Sequence, residues 1–135
     1  MLTDNDARRL REETVEHLVN LIKIDTSNPP GNETRACEYV RDALSSEGIE
    51  SEILESAPGR GSIIARLEGD GSKKPFLMAG HLDVVPANPD DWSVDPFEGV
   101  IRDNCVWGRG SMDMKNTIAI DLVAFLELKR RNFPL

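Results

Sequence analysis

Between about Lys115 and Arg131 the sequence sets Ile118, Leu122, Phe125 and Leu126 at helical spacing on one face, with Ile120, Val123 and Leu128 on the others. A helix so nearly apolar all round is not a surface helix; it needs a sheet on one side and further protein around it. The rest of the chain reads as alternating helices and strands. Val15, Leu18, Val19 and Ile22 recur within a helix predicted from about Asp6 to Ile24. Asp25-Thr26-Ser27-Asn28-Pro29-Pro30-Gly31-Asn32 is a dense cluster of breakers and predicts a loop. A second helix carries Ala36, Tyr39, Val40, Ala43 and Leu44, and Gly48 stands at its stop position. Strands are expected near Ile49–Leu54, Ser62–Glu68 and Phe76–Ala79, and Asp103-Asn104 predicts a short hairpin between Gly99 and Trp107.

Length and composition bound the outcome. The chain's 135 residues suit one core-forming domain, and no repeat, low-complexity stretch or second domain is legible. With 39% hydrophobic and 30% charged residues the chain is globular in type, neither disordered nor membrane-spanning. Its net charge of −8 argues against nucleic acid as a partner. Cys37 and Cys105 are far apart and match no zinc or redox spacing, so buried free thiols are expected. No charged-then-apolar leader precedes Thr3, and the expected location is cytoplasmic.

Two segments carry chemistry. Pro75-Phe76-Leu77-Met78-Ala79-Gly80 reads as a buried strand, and His81-Leu82-Asp83 follows it. In extended backbone, residues two apart share a side, so Asp83 can accept a hydrogen bond from one imidazole nitrogen while the other holds a metal. An isolated His-x-Asp is common by chance, and a solvent-exposed histidine is the plainer account of it. The second segment is Trp107-Gly108-Arg109-Gly110-Ser111-Met112-Asp113-Met114-Lys115. Gly108 and Gly110 suit a tight backbone path, and Asp113 stands at the predicted entrance to the last helix. Alone, Asp113 would be read as an N-cap. The two segments in this order favour a metal ligand on rigid structure instead.

His81-Leu82-Asp83-Val84-Val85-Pro86, then Trp92 and Asp95-Pro96-Phe97, then Gly108-Arg109-Gly110-Ser111-Met112-Asp113-Met114-Lys115 resembles one family of zinc-dependent hydrolases. It includes acetylornithine deacetylase, succinyl-diaminopimelate desuccinylase, aminoacylase, carboxypeptidase G and related dipeptidases, and the likeness runs from about Val15 to the end of the chain. The resemblance implies a three-layer α/β/α fold with a mixed, mostly parallel sheet, of which residues 1–135 would be the N-terminal portion of the catalytic domain. A lid or dimerisation domain and the rest of the catalytic domain would be absent.

The resemblance also implies roles. His81 would bind one zinc, Asp83 would orient His81 beside the catalytic water, and Asp113 would bridge two zinc ions, with cobalt as a substitute metal. The Asp113–Met114 peptide bond would be cis. The general base, a glutamate paired with a ligand glutamate, would lie past Leu135, as would a further acidic ligand and a late histidine. Zinc in catalytic sites takes about three protein ligands, so residues 1–135 alone are expected to bind it weakly, if at all, and not to hydrolyse. The implied substrate is an N-acyl amino acid or short peptide, cleaved at an amide bond, and the complete protein would be compatible with a homodimer. The alternative is a truncated, non-catalytic homologue serving as a binding or interaction module. Asn116 departs from the glycine usual after Asp-Met-Lys in this family, which implies small local packing differences.

Other residues take plainer readings. His17 is expected at the surface or an edge, and Trp92 and Phe97 are expected to pack the loop after His81 onto the core. Asn88-Pro89-Asp90-Asp91 is expected to keep a surface turn solvated. Lys115 opposes the helix dipole in a first turn, and a nearby carboxylate is expected to explain it.

Overall fold

The computed structural model describes residues 2–135. The chain begins with helix α1 (Asp4–Ile22) and, after the breaker loop, helix α2 (Glu33–Ser46). Strands β1 (Ser51–Glu55) and β2 (Gly61–Ala65) follow, then a short 3-10 turn at Pro89–Asp91. Strands β3 (Val100–Arg102) and β4 (Cys105–Trp107) lead into helix α3 (Lys115–Arg130).

Local chemistry explains most of these boundaries. Thr3 caps α1 through a reciprocal box: its hydroxyl accepts from the Asp6 amide while the Asp6 carboxylate accepts from the Thr3 amide. Asp103 and Asn104 both adopt the left-handed region, with φ of 54° and 59°, giving the two-residue turn whose twist suits the β3–β4 hairpin. β1 and β2 pair antiparallel from Ser51 opposite Ala65 to Glu55 opposite Gly61.

The core lies where the three helices meet. Leu18, Leu21 and Ile22 of α1, Ala36, Val40 and Leu44 of α2, and Ala119, Leu122 and Leu126 of α3 are buried together with Ile49. Full burial of an aliphatic side chain such as Leu21 or Ile22 contributes about 1.5–3 kcal/mol. Along the rim, Arg130 reaches both carboxylate oxygens of Glu13 at 2.8 Å and Glu47 at 2.8 Å, and Arg9 reaches Glu127 at 2.8 Å, so guanidinium groups fasten α1 to α3. The Arg130 pairs are exposed, and pairs of that kind contribute about 0–1 kcal/mol each. No helix among the described residues is long and apolar enough to cross a membrane.

The fold is mixed α/β, with differences in detail from the sequence reading. Among the described residues both ladders are antiparallel, and parallel pairing is confined to the Ser27–Val84 bridge. The Phe76–Ala79 run, expected as a buried strand, joins no ladder, and Phe76 and Leu77 are 88% and 83% exposed. A continuous apolar run is buried as a strand only when neighbours pair its backbone and cover both faces. Here the run borders an open cleft of about 570 Å³, facing Val40, Leu44, Ile63 and Phe125. Cys37 is buried as expected, whereas Cys105 is exposed on the β3–β4 hairpin. His17 is half-buried, its Nδ1 2.7 Å from the Tyr39 hydroxyl at the seam between α1 and α2, and burial lowers its pKa. Trp92 and Phe97 are half-buried, while the buried anchor of that loop is Pro96 between them. Asp90 and Asp91 are exposed, as the solvated-turn reading expects.

Candidate metal centre

His81 and Asp113, 32 positions apart, meet at the surface. His81 Nε2 lies 3.1 Å from Asp113 Oδ1. The other ring nitrogen, Nδ1, lies 3.0 Å from Asp83 Oδ1 and 3.1 Å from the Asp83 carbonyl oxygen. Each nitrogen of the imidazole therefore faces a carboxylate, and all three residues singled out in the sequence converge on one ring.

The backbone explains how Asp113 arrives there. Gly110 turns through φ +86°, and a Cβ at that position would come within 2.8 Å of Val84 Cγ1 and 3.1 Å of the Lys115 side chain. Only glycine adopts this conformation at such close quarters without strain. The Arg109 amide donates to the Pro96 carbonyl at 2.6 Å, and the Lys115 amide to the Gly110 carbonyl at 2.9 Å, closing the loop onto the start of α3. Met114, not Asp113, is the N-cap of α3, and it makes no side-chain capping bond. The capping role that would explain Asp113 plainly is thus not the one it fills; its carboxylate is 88% exposed and turned to His81. The Asp113–Met114 peptide bond is cis, as the resemblance implied.

Lys115 corrects an expectation. Among the described residues no carboxylate lies within ion-pair distance of its ammonium; Nζ donates to the carbonyls of Leu21 at 2.9 Å and Ile24 at 2.8 Å, at the end of α1. Carbonyls at a helix C-terminus carry partial negative charge, so they suit a buried cation. Burial brings the pKa of Lys115 down to about 8, with the charge of Asp25 opposing that shift.

The electrostatics favour positive charge between the carboxylates. Burial disfavours protonation of His81, but the Asp83 carbonyl, the Asp113 carboxylate and the two negative charges outweigh it and raise its pKa. A hydrogen bond from Asn28 lowers the pKa of Asp83, aided by the charges of His81 and Arg60 against the effect of burial. A field that holds a proton on an imidazole also favours a divalent cation in its place. The nitrogen and carboxylate donors fit zinc, though among the described residues no cluster of three or more His, Cys, Asp or Glu side chains is placed to hold a metal.

Two features were not read from the sequence. Asn28 donates from Nδ2 to Asp83 Oδ2 at 2.9 Å, and the buried Thr26 hydroxyl donates to the Leu82 carbonyl at 2.6 Å. Both come from the breaker loop, which composition marks as a loop but cannot pair with a segment 55 positions away.

Known proteins share parts of this sequence and fold. The profile described as Peptidase family M20/M25/M40 matches residues 77–135. A probable succinyl-diaminopimelate desuccinylase of Staphylococcus epidermidis is 37% identical over 134 residues, covering 98% of this chain and 30% of the relative. The succinyl-diaminopimelate desuccinylase of a Psychrobacter species is 35% identical over 128 residues, covering 89% of this chain and 31% of the relative. An M20 family metallo-carboxypeptidase from Sulfolobus solfataricus superposes with a TM-score of 0.78 at 24% identity, over 89% of this chain and 28% of that one, a likeness of fold. The chain thus spans about 30% of the length of the curated relatives it matches. These matches make residues 77–135 similar to Peptidase family M20/M25/M40, and over 89% of its length the chain shares the fold of one M20 family metallo-carboxypeptidase.

Proposed function

We propose that this chain is the N-terminal portion of the catalytic domain of a metal-dependent hydrolase that cleaves amide bonds. His81 and Asp113 would hold the metal, zinc by resemblance, and Asp83 would orient His81. The observation that carries this reading is the 3.1 Å approach of His81 Nε2 to Asp113 Oδ1, with Asp83 against the opposite ring nitrogen. That arrangement of an imidazole, a second carboxylate behind it and a ligand carboxylate before it is the one that metal-binding histidines adopt.

Within it each residue has a defined task. Asp83 accepts a hydrogen bond from Nδ1–H of His81, which fixes the tautomer and leaves the Nε2 lone pair for a metal. Asp113, held by the Gly110 turn and the start of α3, supplies a carboxylate from rigid backbone. When bound, a metal at such a site polarises a carbonyl and lowers the pKa of water. Asp113 is also taken as the bridge to a second zinc, whose other ligands and the general-base glutamate the resemblance assigns to sequence following Leu135.

The substrate class proposed is an N-acyl amino acid or short peptide. The relatives include proteins named as a desuccinylase and as a metallo-carboxypeptidase, so the acyl group is not chosen by the residues at hand. Exposed Cys105 is a free thiol, which accords with a reducing, cytoplasmic setting.

The test compares residues 1–135 with a gene product extended to the relatives' length. The extended protein is expected to bind zinc stoichiometrically and hydrolyse N-acyl amino acids or peptides, and His81→Ala to abolish both. Residues 1–135 are expected to do neither. Zinc-dependent turnover by residues 1–135, or an extended protein indifferent to His81→Ala, overturns the reading; a natural stop after Leu135 favours an interaction module.

A further inference from the structure

We propose that Asn28 is a positioning residue for this centre: its carboxamide, oriented by Arg60, holds the Asp83 carboxylate where it accepts a hydrogen bond from Nδ1–H of His81 and leaves Nε2 for a metal. The inference rests on the reading of His81 as a ligand and extends it to the breaker loop, Asp25–Asn32, whose role the site residues leave open.

The loop grips the His-x-Asp segment at three successive residues. The Thr26 hydroxyl donates to the Leu82 carbonyl at 2.6 Å. The Val84 amide donates to the Thr26 carbonyl at 3.1 Å, and the Asn28 amide to the Val84 carbonyl at 2.9 Å. Between them Asn28 Nδ2 donates to Asp83 Oδ2 at 2.9 Å, leaving Oδ1 for His81. Thr26 is fully buried and Val84 nearly so, which makes this a rigid clamp on the segment.

Arg60 decides which way the Asn28 amide points. Its Nη1 donates to Asn28 Oδ1 at 3.4 Å, and its Nε stands 2.9 Å from the buried Glu33 carboxylate in a close charge contact. A guanidinium offers only donors, so the amide must turn its oxygen to Arg60 and its NH₂ to Asp83. Reversed, it would set NH₂ against guanidinium and oxygen against carboxylate. Gly31 makes room for this relay, since a Cβ there would lie 2.6 Å from Arg60 Cδ. From Arg60 through Asn28 and Asp83 to His81 donors and acceptors alternate, and the Glu33 charge stands behind Arg60.

The proton of a neutral His81 then has a defined place. Nδ1 faces two oxygens of Asp83, one of them on a carboxylate held from behind. Nε2 faces a single oxygen of the exposed Asp113. Loss of the Asn28 bond frees Asp83 to swing away, and the balance moves toward the Nε2–H form, which cannot coordinate through Nε2.

The test uses the 135-residue chain without metal, at a pH where the ring is neutral, and reads the His81 tautomer by long-range nitrogen–proton correlation NMR. In the unaltered chain Nδ1–H is expected to predominate. Asn28→Leu is expected to lower the ratio of Nδ1–H to Nε2–H about fivefold, the net effect of one ordinary hydrogen bond. Asn28→Asp, equal in shape but lacking the donor, is expected to do the same, and serves if Asn28→Leu fails to fold. Arg60→Met is expected to lower the ratio and Arg60→Lys, which keeps a donor, to restore it. A merely structural role would lower thermal stability and leave the ratio unchanged. An unchanged ratio in folded Asn28→Leu or Asn28→Asp overturns the proposal. Because no metal or substrate enters this measurement, that failure is distinct from failure of the hydrolase reading.

Discussion

Lys115 Nζ donates to the Ile24 carbonyl at 2.8 Å, joining the first turn of α3 to the end of α1 across 91 positions. Asp113 lies two residues earlier, so the same contact that closes the core also seats the loop carrying the candidate ligand. The lysine stem is fully buried, and the ammonium answers carbonyls at the end of α1, where they carry partial negative charge.

Lys115→Ala is therefore expected to destabilise the chain by about 2–4 kcal/mol, from lost stem packing and an unpaired buried carbonyl. Urea denaturation of the two proteins measures it. A loss below about 0.5 kcal/mol, the ordinary range of a surface change, would show that the contact contributes little.

Gly110→Ala is expected to cost more than about 1 kcal/mol, since a side chain there meets both a left-handed backbone and the Val84 methyl at 2.8 Å. The movement that relieves the clash passes to Asp113, so imidazole resonances of His81 are expected to shift as well. Unfolding midpoints together with the histidine NMR signals check both effects.

The cap of α1 makes stability depend on acid. The Thr3 amide and hydroxyl, with Arg131, bring the pKa of Asp6 from about 3.8 down to about 2. A carboxylate depressed in the folded state binds its proton more weakly there than in the unfolded chain. Its contribution is therefore complete above pH 3.8 and is lost as the pH falls toward 2. Denaturation midpoints of the unaltered chain and Asp6→Asn are expected to differ at neutral pH and to converge near pH 2; a gap constant with pH would contradict this origin.

In the extended gene product, Asp83→Asn is expected to weaken zinc binding about 10–100-fold, as loss of a partner behind a ligating histidine does. Asp113→Ala is expected to remove stoichiometric metal altogether. Metal content after dialysis against graded chelator separates the two, and equal retention by both variants would deny Asp113 its role as ligand.

Three kinds of feature were legible in the sequence because their causes are local. Helical spacing gave α1, α2 and α3 to within a few residues, since an amphipathic stripe is periodic in the chain itself. Asp103-Asn104 announced a hairpin because few residues enter the left-handed region readily. His81, Asp83 and Asp113 were marked by type, order and resemblance, and the structure brings them to one ring.

The strand expected at Phe76–Ala79 shows where local reading stops: apolar character states that a segment seeks burial, and only neighbouring strands decide whether it finds any. The same limit hid the partner of Lys115 and the hold of Asn28 on Asp83, which join positions 91 and 55 residues apart. Sequence determined which residues are candidates for the chemistry and which stretches coil or turn, through side-chain type and periodicity. Tertiary structure alone decided which oxygen faces which nitrogen, because hydrogen bonds depend on distance and angle, and chain separation fixes neither.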